Sequence, residues 1–380
     1  MATGEVIPFE SLLNPISDEN PSGPALRSDG SLAAIYYEIR DASQQARDSE
    51  RQVREYAFLS EEDKSHEPSP ESPNWSKVVK LATDALAGVS KDLWVAAWLT
   101  ESLVRTDGFA GLRDGFRLIR RLSEDFWDTI HPRPDEDDGI LHTVSQLSSL
   151  NSTLITPIQE IAIVPETRSF PSLTSVDYID AVELDKMDPD QRSQRIAGGS
   201  ATLDMFDRAI NEAPIEALND LLEDIQAARE EFTQLCEVLD DKCGQDEDGY
   251  SLAPPSSDIS DLLESCFDRL RDLTRHRLAG DAQVDADPSE SAQDSPVSAR
   301  LPSSNEVQNR DDAFQLLLKV SSFFRRTEPH SPVSYALEQA VRWGRMSLPD
   351  LMTDLINDES VRREMFKRAG IPDPSDRTEE

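Results

Sequence analysis

Apolar residues recur at helical spacing along most of this chain, and the interruptions mark its organisation. Trp75, Val78, Val79, Ala82, Ala85 and Leu86 form one stripe, and Leu93, Ala96, Ala97, Thr100, Leu103 and Val104 a second. Leu112, Phe116, Ile119, Leu122 and Phe126 form a third. "AGVSKD" and "RTDGFAG" separate them, with Gly88 and Gly108 where a helix C-cap takes glycine. Three short helices joined by tight turns predict an antiparallel stack, and no fixed period identifies a named solenoid. Ahead of the stack, prolines crowd "NPISDENPSGPALRSD", so residues 1–30 read as a turn-rich lead. A polar helical pattern runs over 32–59, and "SEEDKSHEPSPESPN" at 60–74 reads as a flexible loop.

Past residue 140 the helical pattern continues through "VSQLSSLNSTLITPIQEIAIV". "VPETRSFPSLTSVDYIDAVEL" predicts a loop or one short strand, and a helix follows from about Pro189 into "GGSATLDMFDRAINEAP". The strongest heptad places Leu218, Ile225, Phe232 and Leu239 at one seam position and Leu221, Ala228 and Leu235 at the other. Its expected partner is 258–278, where Ile259, Leu262, Leu263, Cys266, Leu270 and Leu273 share a stripe, giving a helical hairpin across "GQDEDGYSLAPPSS". The expected fold is all-α and multi-domain: a helical domain over 1–165, a middle helical domain with the hairpin over 166–278, and a flexible acidic linker over 279–305. A small C-terminal helical module over 306–372 and a tail over 373–380 complete it.

Charge sharpens this division. The 380 residues hold 74 acids against 38 lysines and arginines, for a net charge of −36. Ten acids and ten bases cancel within 306–372 and the last eight residues contribute −3, which leaves −33 on the first 305. A neutral module can crowd against copies of itself while acidic arms repel and spread, the charge logic of a ring or star. The same field repels nucleic-acid phosphates and anionic lipid surfaces, so neither is an expected partner. "MATGEVIPFESLLNP" lacks the basic start and apolar run of a secretory signal, and "LWVAAWL" is too short to span a bilayer. Three cysteines without a CxxC spacing fit a reducing cytoplasm.

Candidate chemistry is sparse. In "FWDTIHPRPDEDDGI", His131 stands near Asp135, Glu136, Asp137 and Asp138. The acids lack calcium-loop spacing, and a zinc site would need more His or Cys ligands than His142 supplies. The plainer reading is a helix that ends near Ile130, stopped by Pro132, with His131 complementing its dipole and the acids in a solvated turn. "IAGGSAT" lacks a phosphate loop's Lys-Ser/Thr ending and reads as a turn with Ser200 capping the next helix. No residue is therefore assigned to catalysis, a cofactor or a metal. Arg325, Arg326, Arg342, Trp343 and Arg345 are the candidate interface, because Trp and Arg anchor protein contacts. The alternative there is that Trp343 closes the module's own core and the arginines solvate it.

"LLNPISDENPSGPALRSD", Ser90-Lys91-Asp92-Leu93, Gly108-Phe109-Ala110-Gly111-Leu112 and Trp127…His131-Pro132 together resemble the N-terminal domain of the TssA (ImpA-related) proteins of bacterial type VI secretion. "RRTEPHSPVSYALEQAVRWGRM" resembles the family's short-C-terminus members. The resemblance implies a non-enzymatic cytoplasmic assembly protein, brought to the inner face of the inner membrane with the apparatus. It implies rings formed through the C-terminal region, contacts with baseplate, tube (Hcp) and sheath subunits, and the baseplate-associated class. The alternatives are a sheath-end capping member of the family, a free-standing acidic adaptor or chaperone, and, most remote, an enzyme using His131 and Asp135–Asp138.

Overall fold

The structure is a computed structural model. It describes residues 2–27, 30–57, 59, 61–64, 66–281 and, further along, 314, 317, 318, 321, 325, 333–346 and 351. The chain divides into two compact units, residues 1–288 and 289–380.

In the first unit, α1 (Phe9–Leu13), α2 (Ala33–Ala57) and a one-turn helix α3 (Glu61–Lys64) inside the expected 60–74 loop lead to α4 (Trp75–Gly88). Asn74 starts α4 by accepting the Lys77 backbone N–H, and Trp75, Val78, Ala82, Ala85 and Leu86 bury its stripe. Gly88 is the last residue of this helix and no left-handed cap is formed there.

The next two stripes join as α5 (Leu93–Phe126), broken at Gly108, whose φ of 58° and ψ of −133° reverse the chain. A side chain built at Gly111 would lie 2.2 Å from the Leu103 carbonyl oxygen, and one at Gly115 would lie 2.6 Å from Thr100. Such pairings, closing symmetrically about Gly108, mean that the halves of α5 fold back antiparallel with their backbones in direct approach. Glycine is needed at 108 for conformation and at 111 and 115 for space. The stacked antiparallel helices expected from the pattern are present, packed more closely than the stripes alone indicate.

After α6 (Ile140–Thr153) and α7 (Ile155–Gln159), Ala162–Val164 (β1) pairs antiparallel with Leu173–Thr174 (β2). This small sheet departs from the all-α expectation and replaces the loop or single strand read from the prolines. Thr174 and Asp177 then form a reciprocal capping box for α8 (Ser175–Asp185). The single helix expected from Pro189 is two, α9 (Pro189–Ala197) and α10 (Leu203–Glu212). Thr202, and not Ser200, caps the second, because its hydroxyl accepts the Met205 N–H. In α9, among the described residues, no side chain is buried.

α11 (Ile215–Cys243) buries Leu218, Ile225, Ala228, Phe232, Leu235 and Leu239, while Leu221 is half-buried. It packs on α12 (Ser257–Asp281), as the hairpin reading expects, but its most extensive neighbour is α5. Phe232 meets Phe116 at a ring separation of 4.7 Å. Around that contact Arg113 pairs with Asp224 at 2.9 Å, and Arg117 and Arg120 both pair with Glu231 at 2.8 Å. The seam thus faces two helices, which a single-stripe heptad cannot specify. One buried apolar cluster runs from Ile7 to Leu270, straight across the domain boundary expected at 165/166.

α12 extends to Asp281, into the start of the expected linker; 282–305 lie outside the described residues, as do most of 306–372 and all of 373–380. In the second unit the helix Val333–Arg345 starts where the "EPHSP" turn predicts. Among the described residues no helix is long and apolar enough to cross a membrane.

Candidate functional site: the His131 turn and its cleft

Three motifs far apart in sequence meet at one junction. The Lys91 N–H donates to the Ser22 carbonyl at 2.7 Å and the His131 N–H to the Lys91 carbonyl at 2.9 Å. Leu93 N–H donates back to the His131 carbonyl at 2.8 Å, so Asp92 and His131 form a one-residue parallel bridge. Side chains extend the lattice. Ser22 and Thr129 hydroxyls are 2.7 Å apart, and His131 Nε2 donates to the Gly23 carbonyl at 2.9 Å. Gly23 sits at φ 71°, and a side chain there would strike the Val89 carbonyl oxygen. The proline-rich lead, the Ser90-Lys91-Asp92 turn and the His131-Pro132 turn, whose peptide bond is cis, are therefore one structural joint.

Two charges are buried in it. Lys91 is fully buried, and its Nζ donates to the carbonyls of Leu12 and Leu86, each at 2.7 Å. Desolvation brings its pKa down from 10.5 to about 8. Asp92 caps α5 through Oδ1, which accepts from Trp94 N–H at 2.8 Å and Val95 N–H at 3.3 Å. Burial pushes its carboxyl pKa up, against the lowering by those two backbone bonds. Of the residues that made the "FWDTIHPRPDEDDGI" stretch look like a possible active site, His131 is the one engaged in this joint, through its backbone and Nε2.

His131 does not sit on a continuing helix end: α5 closes at Phe126, and His131 belongs to the turn after it. Nor does it join the acids. Asp135, Asp138 and His142 are the set that converges, with ligand atoms within 4.8 Å of one another. Asp135 accepts the Asp138 N–H at 2.7 Å, which holds its carboxyl below the usual range, and takes His142 Nδ1 at 3.0 Å. Arg27 Nη2 approaches His142 Nε2 at 3.4 Å. Because a guanidinium only donates, Nε2 is the acceptor and Nδ1 carries the proton toward Asp135. A cation would have to displace that proton beside a resident positive charge, so this set is a poor metal site.

Beside the joint lies an open cleft of about 280 Å³. Arg27, Asp92, His131, Arg133 and His142 line it, with Leu26 and Pro132 as apolar wall. Arg27 lies 3.8 Å above the Trp94 ring and 5.4 Å from that of Tyr36. None of the cysteines offers a nucleophile: burial raises all three thiols, Cys243 to about 11.

In the second unit, Arg325 pairs with Glu338 at 2.9 Å and stacks 5.2 Å from Tyr335. Arg342 is exposed and Trp343 half-buried on the helix Val333–Arg345. Arg326 and the Arg345 side chain lie outside the described residues. Lys91 and Arg27 do not stand out individually in the sequence; a lysine between Ser and Asp at a helix start carries no sign of full burial.

Residues 13–152 match the family described as ImpA, N-terminal, type VI secretion system. The chain is 27% identical over 362 residues to the type VI secretion system component TssA1 of Pseudomonas aeruginosa, covering 91% of this chain and 94% of that protein. It also resembles the solved N-terminal domain, including the conserved ImpA_N region, of the TssA component from Burkholderia cenocepacia. There the TM-score is 0.56 at 26% identity, over 73% of this chain and 98% of that one. The joint at His131 falls inside the matched region. Residues 13–152 thus match the ImpA N-terminal region of type VI secretion, and the chain is similar to a TssA component over most of its length.

Proposed function

We propose that the chain is a non-enzymatic assembly component of the type VI secretion system, a ring-forming scaffold that organises the baseplate and the polymerisation of tail tube and sheath. The observation that carries this reading is the nearly end-to-end likeness to TssA1, which extends well beyond the N-terminal domain. In this reading the chain works in the cytoplasm and reaches the inner membrane only with the apparatus. Copies associate through 306–372, with Arg325, Arg326, Arg342, Trp343 and Arg345 at the contact. The short C-terminal region sets it with the baseplate-associated class. The charge supports that arrangement, since −33 on the first 305 residues opposes their self-association while the neutral module does not.

Native mass spectrometry of the full chain and of a chain ending at residue 305 tests the scaffold. A defined high-order oligomer is expected from the first and its loss from the second, with Trp343→Ala plus Arg345→Ala weakening it. A full chain that stays monomeric at micromolar concentration, or an oligomer that survives truncation, refutes the reading. Co-purification with baseplate, tube and sheath subunits identifies the partners.

A further inference from the structure

Arginine in the first unit is consumed by carboxylates. Arg47 holds Glu101, Arg105 holds Glu50, Arg113 holds Asp224, and Arg117 and Arg120 share Glu231. Most arginines of the first unit have such an acid; among the described residues Arg27, Arg133, Arg168, Arg195, Arg269 and Arg277 have none within ion-pair distance. Of these, Arg27 and Arg133 both line the cleft beside the joint. Arg27 lies flat on Trp94, with one nitrogen toward His142. Arg133 donates only from Nη1, to the Trp127 and Asp128 carbonyls. Among the described residues the remaining donors of both forks have no partner.

The two nearest acids do not use them. Asp92 spends Oδ1 on the α5 cap and is buried. Asp135 is turned to His142 Nδ1. Both guanidinium groups keep unused donors while the carboxylates of Asp92 and Asp135 are engaged elsewhere, so the cleft can take a further acidic group. Guanidinium forks match a planar two-oxygen acceptor, and Leu26 and Pro132 offer the methylenes of an acidic side chain an apolar wall.

We propose that this cleft docks an aspartate or glutamate side chain presented by a partner protein. That the partner is a subunit of the secretion apparatus rests on the assembly reading; the chemistry of the cleft does not. Stacking on Trp94 holds Arg27 in place before the partner arrives, so less rotamer entropy is lost on binding.

The chain has five histidines, and His142 touches Arg27, so its ring reports on the cleft. The full chain, with carbon-13 histidine, is titrated with acetyl-Gly-Glu-Gly-amide at constant ionic strength and followed by NMR. The His142 ring signal is expected to shift saturably, and the glutamine peptide to leave it unmoved. Arg133→Gln is expected to weaken binding about tenfold, about 1.4 kcal/mol. Arg133 is exposed and makes only carbonyl contacts, so this variant keeps the fold even where Arg27→Gln loosens the Trp94 stack. The proposal fails if no saturable shift occurs, if the glutamine peptide shifts the signal equally, or if Arg133→Gln binds unchanged. Saturation by inorganic phosphate but not by the glutamate peptide likewise overturns it, in favour of a tetrahedral oxyanion. A chain that co-purifies with secretion subunits yet gives no shift keeps the assembly reading and loses this one.

Discussion

Lys91 gives the sharpest test of the joint, because its burial has a pH signature that no surface lysine shares. In the unfolded chain the amine keeps its proton up to its ordinary pKa of 10.5; in the folded chain burial releases it near 8. Between those values the unfolded state binds more protons, so the free energy of unfolding rises with pH. Below 8 both states are charged and the burial penalty is fully present; above 10.5 both are neutral and it is gone. The difference, at 1.36 kcal/mol per pH unit, is about 3 kcal/mol. The neutral amine still has N–H groups for the Leu12 and Leu86 carbonyls, so deprotonation does not break the joint. Tyr36 and the three thiols, raised by burial, titrate nearby with the opposite sign: the folded state holds their protons longer, so they lose stability as pH rises. The measurement is therefore a difference. Urea unfolding of the native chain and of Lys91→Met is followed by tryptophan fluorescence from pH 7 to 10.5; four of five tryptophans lie in the first unit. The native chain should gain about 3 kcal/mol relative to Lys91→Met across that window. Parallel curves would show that Lys91 is solvated and the joint wrongly described.

Gly111→Ala should force the halves of α5 apart, because the new carbon meets the Leu103 carbonyl oxygen, lowering stability by about 1–3 kcal/mol in thermal unfolding. Asp224→Ala removes the cross-helix acid of Arg113 while Asp114 still pairs with it at 2.7 Å, so the cost should be about 1–3 kcal/mol. It should also speed amide exchange at Thr3, whose N–H and hydroxyl both bond to Asp224. Zinc titrated into the purified chain should give no saturable calorimetric heat that His142→Ala removes, because Arg27 and the Nδ1 proton already occupy that imidazole.

Periodicity made the helices legible because each buries one stripe. The stripes at 75–86, 93–104 and 112–126 reappear as α4 and the two halves of α5. What periodicity could not show is how near the halves come, since glycine at 111 and 115 looks like a gap in a stripe until a carbonyl is found against it. α11 shows the same limit differently. Its heptad identified the buried residues but chose the sequence neighbour as partner, whereas α5, more than a hundred residues upstream, takes the larger share. Thr202 displaced Ser200 as cap because α10 begins at Leu203, a boundary beyond the glycines. The His131 stretch was legible as architecture. Its actual contacts, to Gly23 and Lys91, were not, because backbone hydrogen bonds leave no residue-type signal.

The internal pairs also account for the charge on the outside. Arg47, Arg105, Arg113, Arg117 and Arg120 join α2, α5 and α11 through Glu101, Glu50, Asp224 and Glu231, and such partly buried pairs serve mainly to fix which helix faces meet. Together they withdraw five bases and four acids from the surface, and since acids outnumber bases, this leaves the surface more acidic in proportion. A body built this way repels its own copies at distances within a Debye length, about 8 Å at physiological salt. Self-association, as proposed above, then has to be driven by contacts outside the first 305 residues. On the proposals above, a partner that meets the first unit brings either a basic surface or, at the cleft of Arg27 and Arg133, an acidic side chain.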